Sequence, residues 1–290
     1  MSLDFTGRVA LITGAGGGLG RQHALALAAR GAQVVVNDLN PEAVQAVVAE
    51  IQAAGGQALG LACSVTNAQA VQAMVDQVQQ TWGRLDILVN NAGILRDKSF
   101  AKMTLDDFQL VMDVHVMGAV HCTKAAWPLM VANKYGRIIM TTSSSGLFGN
   151  FGQANYGAAK MALVGLMQTL SIEGAKNDVR VNCLAPTAAT QMTEGLLPAE
   201  MLALLTPEAV VPAMLVLAHE SAPTRTILNA GAGTFAASHI SLTPGLHLGT
   251  GPDVPEQLAA QLAQVCDRQA SSVPLSGAEQ GMNEVQKAQK

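Results

Sequence analysis

Tyr156 and Lys160 lie four residues apart in Gly152-Gln-Ala-Asn-Tyr-Gly-Ala-Ala-Lys-Met-Ala-Leu-Val164, at the start of an apolar helical pattern. That spacing puts both on one helical face. An ammonium held near a phenol favours the phenolate, so a tyrosine whose ordinary pKa is about 10 can be drawn toward working pH. Tyr156 is therefore a candidate general acid/base. The run Ser143, Ser144, Ser145 follows the strand-like Gly136-Arg-Ile-Ile-Met140 and precedes the tyrosine by about a dozen residues. A hydroxyl at a strand end can meet a tyrosine from the next helix. Taken alone, the pair also fits a surface tyrosine beside a surface lysine.

A second constellation lies near the N-terminus. Gly14-Ala-Gly-Gly-Gly-Leu-Gly20 separates the apolar strand Arg8–Thr13 from the alanine- and leucine-rich helix Arg21–Arg30. Glycines at such a junction let the backbone approach a pyrophosphate, and the helix N-terminus offers free amides and partial positive charge. Gly14, Gly17, Gly18, Leu19 and Gly20 are the candidate cradle. Asp38 closes the second strand about 20 residues later, where a carboxylate accepts bonds from the adenosine ribose. It would repel the extra phosphate of NADP, and neither Gly17 nor Leu39 supplies a compensating cation, so the expected cofactor is NAD. The plainer alternative is that Asp38 caps a turn before Asn40-Pro41.

Alternating strand and helix signals place these residues. Strands are expected at Arg8–Thr13, Val34–Asn37, Ala58–Cys63, Leu85–Asn90, Arg137–Thr142 and Val179–Leu184, with a weak seventh at Thr226–Asn229. Asn40 with Pro41, and Asn67, read as helix starts, and Phe108–Asn133 reads as one long helix interrupted or bent at Pro128. Repeated units of this length predict an α/β, doubly wound (Rossmann) parallel sheet of about seven strands with helices on both faces and right-handed crossovers. Residues 1–250 are expected to form a single catalytic domain and 251–290 a C-terminal extension. In that extension Leu258, Leu262 and Val265 share a short amphipathic helix, followed by a Gln-, Ser- and Gly-containing end expected to be mobile.

Composition narrows the class further. Charged residues make up 13% of the chain and the net charge is −4 without a basic block, which argues against nucleic-acid binding. The uncharged run Ile227–Pro252 is too rich in Gly, Ser, Thr and Pro for a spanning helix, so no membrane role is expected. Cys63, Cys122, Cys183 and Cys266 are scattered without metal-ligand spacing, and no metal site is expected. The N-terminus shows no charged n-region followed by an apolar h-region, which makes a cytoplasmic location the default expectation.

Four ordered motifs, Thr13-Gly-x-x-x-Gly-x-Gly20, Asn90-Asn-Ala-Gly93, Ser143 and Tyr156-x-x-x-Lys160, resemble the short-chain dehydrogenase/reductase family over about residues 5–235. Val35–Asp38, Asn90–Asp97, Val114-His-Val116 and Gly149–Tyr156 are most similar to its (3R)-hydroxyacyl-CoA dehydrogenase branch, found in multifunctional enzymes. The resemblance implies that Tyr156 exchanges the alcohol proton, that Lys160 holds the nicotinamide ribose and lowers the tyrosine pKa, and that Ser143 bonds the substrate oxygen. It also implies that Asn91, Ala92 and Gly93 line the cofactor and that Thr190 meets its carboxamide or pyrophosphate. His115 stands where most of the family has asparagine. It serves either through its backbone carbonyl, which in the family holds a water beside the lysine, or as a satisfied core histidine.

Other departures bear on ligand choice. Ser64 replaces a common aspartate, so the adenine contact is expected to be weaker there or made by the backbone of Val65. Pro186-Thr187 replaces Pro-Gly, and the loop Ala188–Thr193 looks one residue short. The expected substrate is a secondary alcohol or ketone. A 3-hydroxyacyl-CoA comes first, with Arg96, Lys98 and Lys102 as candidate cations for its phosphates. A steroid, suited to the Met- and Leu-rich Met192–Leu205, or a 3-oxoacyl-carrier protein is the alternative. A non-catalytic NAD sensor would have no need of Ser143, Tyr156 and Lys160 together. The uncharged helix Met161–Ile172 is apolar nearly all round, and the family implies a homodimer or homotetramer built through it.

Overall fold

The computed structural model describes residues 3–189 and 198–289. Its chain falls into two compact units, Met1–Ala237 and Ser238–Lys290.

The first unit alternates strand and helix: β1 (Val9–Thr13), α1 (Gly18–Ala28), β2 (Gln33–Asp38), α2 (Pro41–Ala53), β3 (Gln57–Ala62), α3 (Ala68–Trp82) and β4 (Ile87–Asn90). Then follow α4 (Leu105–Met112), α5 (Gly118–Ala132), β5 (Gly136–Thr141), α6 (Ser144–Phe148), α7 (Ala154–Gly174) and β6 (Val179–Pro186). The unit closes with α8 (Ala199–Leu204), α9 (Val211–Ala218), β7 (Ile227–Gly231) and β8 (Thr234–Ser238). The sheet order is β3-β2-β1-β4-β5-β6-β7-β8. Strand order reverses between β1 and β4, which are paired in parallel with Ile12 opposite Val89. Ligands of such sheets bind beyond the strand ends at this reversal.

Alternation along each strand feeds two cores. Ile12, Val34 and Val36 pack with Leu27, Val44 and Met214 on one face. Leu11, Val35 and Leu88 pack with Val71, Met130 and Leu163 on the other. Each such side chain contributes roughly 1.5–3 kcal/mol by leaving water. The expected caps form: Asn40 accepts from the amides of Glu42 and Ala43, and Asn67 from those of Gln69 and Ala70. A cap of this kind stabilises its helix by about 1 kcal/mol.

The sheet and the long middle helix differ from the sequence expectation. The sheet has eight strands because Ala232 and Gly233, with φ of 49° and 71°, close a two-residue hairpin that returns the chain as β8. Thr-Phe-Ala-Ala-Ser, largely exposed, carries little periodic signal. The helix expected over 108–133 breaks at a π-helical turn, Asp113–Met117, while α5 runs through Pro128 as an α-helix. A wider coil of this kind leaves no signature in the apolar spacing.

The second unit holds α10 (Val254–Ala260), α11 (Leu262–Val265) and α12 (Gly277–Ala288). The expected helix divides at Gln261, and α12 forms where the sequence pattern suggests no element. Leu242 and Ser272 exchange backbone bonds of 2.8 and 2.9 Å, and the Thr243 hydroxyl donates to the Val265 carbonyl at 2.7 Å. Among the described residues no helix is long and apolar enough to cross a membrane.

Candidate active site

The turn from β1 to α1 is built by close approach. Gly14 has φ of 63°, and a Cβ there would lie 2.8 Å from the Ala92 Cα. A Cβ on Gly20 would collide with the Gly14 carbonyl oxygen. Gly17 is extended and Gly18, with φ of 50°, opens α1 with no side chain capping it. The uncapped helix start keeps donors available to an anion. Leu19 turns its side chain into the core, so only its backbone faces the turn.

Asp38 joins this turn directly. Its Oδ2 accepts from the Gly16 amide at 3.0 Å and its Oδ1 from the Asn40 amide at 3.2 Å. Asp38 thus faces the glycine turn and also caps the bend before Pro41, as the plainer reading expects. Gly16, which the sequence reading passes over, is the glycine pressed against it, since a Cβ there would come within 3.0 Å of the carboxylate. The turn, its donors and the carboxylate fit a dinucleotide.

At the end of β4, Asn91 donates its side-chain amide to the carbonyls of Thr13 and Gly14 at 3.0 and 3.1 Å. The backbone amides of Asn91 and Ala92 both donate to the Thr13 hydroxyl. These residues latch the glycine turn to β4. Gly93 lies under the His115 ring, with which a Cβ would collide. Ser64 is engaged with Thr66 (Oγ to Oγ1, 2.8 Å), and the Val65 carbonyl lies 2.9 Å from His121 Nδ1. Thr190, residues 190–193 of the loop that looks short, and residues 192–197 of the Met- and Leu-rich stretch lie outside the described residues.

Ser143, Tyr156, Lys160 and His115 converge beside that latch. Ser143 follows β5 by two residues and caps α6, its hydroxyl accepting from the Ser145 amide at 3.2 Å, and it acts to lower the Tyr156 pKa. Lys160, one turn along α7, is buried, donates to the Thr141 carbonyl at 2.6 Å and stands 5.4 Å from the Tyr156 ring centroid. Burial pulls its pKa down to about 7 against a small opposing effect of Cys183. Burial also raises the Tyr156 pKa; Ser143 works downward and the Asp97 charge upward. The lowered tyrosine pKa expected from the Tyr-x-x-x-Lys spacing is therefore not what the protein chain alone produces. Removing the phenol from water penalises phenolate, and the amine, itself desolvated, faces a carbonyl.

The π-helical turn brings His115 into the same group. Its ring meets Tyr156 edge-on, with centroids 5.2 Å apart and planes at 87°, and Nε2 lies 3.0 Å from the Ile94 amide and 2.8 Å from its carbonyl. Desolvation, then the Lys160 charge, lower its pKa to about 3, so the ring is neutral. Nδ1 is buried without a hydrogen-bond partner among the described residues, so the expectation of a satisfied core histidine holds for only one ring nitrogen. Of the candidate phosphate-binding cations, Arg96 and Lys98 both reach Asp107, at 3.9 and 3.3 Å. The sequence reading misses Asn155, fully buried, whose side chain joins the Arg96 carbonyl (3.1 Å) to the Tyr156 amide (2.7 Å). Its adjacency to the tyrosine was the available signal. Among the described residues no group of side chains could hold a metal ion.

Comparison with known proteins agrees with this architecture. Residues 8–200 match the short chain dehydrogenase family. The chain is 46% identical over 278 residues to the peroxisomal hydratase-dehydrogenase-epimerase of Saccharomyces cerevisiae, covering 92% of this chain and 31% of that protein. The structure of full-length peroxisomal multifunctional enzyme type 2 from Drosophila melanogaster superposes with a TM-score of 0.83 at 40% identity, covering 98% of this chain and 50% of that one. A 7α-hydroxysteroid dehydrogenase complexed with NADH and 7-oxo-glycochenodeoxycholic acid superposes with a TM-score of 0.75 at 32% identity, over 80% of this chain and 95% of that one. The chain thus spans about a third of the yeast protein and half of the Drosophila one. Their names overturn the cytoplasmic expectation. Secretory-leader patterns bear only on secretion, whereas peroxisomal addresses are read at a C-terminus. The chain belongs to the short-chain dehydrogenase/reductase family of oxidoreductases.

Proposed function

We propose that the protein is an NAD-dependent dehydrogenase interconverting a 3-hydroxyacyl-CoA and its 3-oxo form, with Ser143, Tyr156, Lys160 and His115 at the reacting centre. The observation that carries this reading is the grouping around Tyr156: the buried Lys160 lies one turn along its helix with Nζ 5.4 Å from the ring, His115 meets the ring edge-on, and Ser143 draws the phenol pKa downward. The bound dinucleotide would accept or return the hydride. Ser143 would hold the substrate oxygen while the Tyr156 hydroxyl takes or gives its proton. Because burial keeps Tyr156 protonated, it is set to act as the acid in ketone reduction. Oxidation then quickens as rising pH uncovers the phenolate. Lys160 would hold the ribose. His115, neutral and locked between Ile94 and Gly93, would keep the phenol in line.

NAD is supported by Asp38, whose carboxylate already faces the glycine turn and would repel an added phosphate. Gly14, Gly16, Gly17, Gly18, Leu19 and Gly20 would cradle the pyrophosphate, Ser64 and Val65 would flank the adenine, and Thr190 would meet the nicotinamide side. The substrate class is supported by the yeast relative, whose name couples a hydratase to a dehydrogenase. Hydrating a carbon–carbon double bond yields the kind of secondary alcohol a dehydrogenase oxidises. A hydroxysteroid is the second reading, favoured by the likeness to the 7α-hydroxysteroid dehydrogenase. Residues 1–250 would carry the activity with 251–290 as an extension, and the partly exposed Met161 and Ile172 of α7 would face a second copy in a homodimer or homotetramer. NADH formation measured against 3-hydroxyacyl-CoA chains, hydroxysteroids and simple secondary alcohols tests the proposal. Turnover of steroids alone would overturn the acyl-CoA assignment.

A further inference from the structure

The segment Arg96-Asp97-Lys98 is stitched to the start of α7 at three consecutive residues. The Arg96 carbonyl accepts from Asn155 Nδ2 at 3.1 Å, Asp97 Oδ2 accepts from Gln153 Nε2 at 2.6 Å, and the Lys98 amide donates to the Gly152 carbonyl at 2.9 Å. The other end of Gln153 is also engaged: its Oε1 accepts from Ser145 Oγ at 2.7 Å and from Asn150 Nδ2 at 3.1 Å. One amide side chain therefore joins the loop after β4, the helix that begins at Ser143, and the turn before α7. These are the segments on either side of the Ser143–Tyr156 pair. The cationic heads of Arg96 and Lys98 turn to Asp107, and among the described residues no ion pair neutralises Asp97.

We propose that Asp97, gripped by Gln153, is a positioning residue that holds the start of α7, and with it Tyr156, against the segment that carries Ser143. The inference rests on Tyr156 as the proton carrier. Among the described residues, His115 from the π-helical turn and Lys160 from α7 stand against the Tyr156 ring, while Ser143, before α6, and Asp97, from the loop after β4, act on its phenol electrostatically. Asp97 is the one anion among them, and its charge opposes phenolate. It is exposed, so salt screens its effect.

The chain has two tyrosines, so ultraviolet titration of tyrosinate, with Tyr156→Phe subtracting Tyr135, reads the phenol without substrate. Asp97→Asn, which keeps the shape and the bonding to Gln153, is expected to lower the Tyr156 midpoint by about half a pH unit at low salt and by less at high salt. An unmoved midpoint at low salt overturns the charge role. Gln153→Ala, which breaks the clasp, is expected to lower kcat about tenfold with little change in KM for NAD, because ordering at the reacting centre is lost. A kcat within twofold of wild type overturns the positioning role. Failure of either arm while Tyr156→Phe is inactive removes the clasp and leaves the function standing; an active Tyr156→Phe removes the function itself.

Discussion

The two ends of the same parallel strands treat buried polar groups in opposite ways. At the N-terminal end, Arg137 is fully buried yet bonded to the carbonyls of Gly136 (2.8 Å), Asp178 (2.7 Å), His219 (3.1 Å) and Glu220 (2.8 Å), and to the Asp178 carboxylate at 3.0 Å. Its guanidinium and that of Arg8 lie 4.2 and 3.7 Å from the Tyr135 ring centroid. Asp86, also buried, accepts from the Val9 amide and twice from Arg84. At the C-terminal end, His115 Nδ1, Asn90 Oδ1 and Thr141 Oγ1 are buried without hydrogen-bond partners among the described residues, and Lys160 faces a carbonyl where a carboxylate would have neutralised it. An unmet buried group costs stability, so a fold keeps such groups where a ligand uses them. The satisfied end holds the sheet together, and the unsatisfied end holds the proposed site.

This contrast can be broken by experiment. Tyr156→Phe should lower turnover about 10²–10⁴-fold, with NADH affinity within a few-fold by fluorescence titration and an unchanged melting temperature. Unfolding of that variant would erase the distinction. Arg137→Met should do the reverse, costing about 3–5 kcal/mol in denaturant unfolding because Asp178 and several carbonyls lose their donor, with kcat per folded molecule retained.

Acid separates the ends by pH window. Burial depresses the His115 pKa to about 3, helped by Lys160, and burial alone depresses that of His23 to about 3. Their neutral forms stabilise the fold fully above the unfolded value of about 6.5, and that contribution is lost as pH falls from there toward 3. Each should remove about 2 kcal/mol by pH 5. At Asp178 burial works against the carboxylate, but the bonds from Arg137 and Arg180 prevail and hold its pKa below the ordinary value. Its contribution, fully present above the unfolded value, fades only at still lower pH. Unfolding free energies at pH 7 and 5 for wild type and His23→Leu would show this, the variant losing less. Equal losses would contradict the assignment.

Gly93→Ala drives a methyl group into the His115 ring. It should cost about 1–3 kcal/mol of stability and lower kcat more than KM. Asp38→Ala, the gentlest, should narrow the preference for NAD over NADP without touching kcat with NAD; equal discrimination before and after would show that the carboxylate is not the selector.

Local order reveals what a residue can do next to its neighbours in the chain. The apolar periods of β1 to β6, the caps at Asn40 and Asn67, the glycine turn, and Tyr156 sharing a face with Lys160 all follow from spacing alone, because each depends on atoms within one or two turns. The doubly wound sheet follows from repeating those units. Tertiary structure decided the rest through pairs far apart in sequence: Asn91 latched to Thr13 and Gly14, His115 seated on Gly93, and Arg137 enclosed by Asp178 and Glu220. It also raised the proton affinity of Tyr156, where spacing alone suggested the opposite. Burial depends on the whole chain packed around a group, and no local motif carries that.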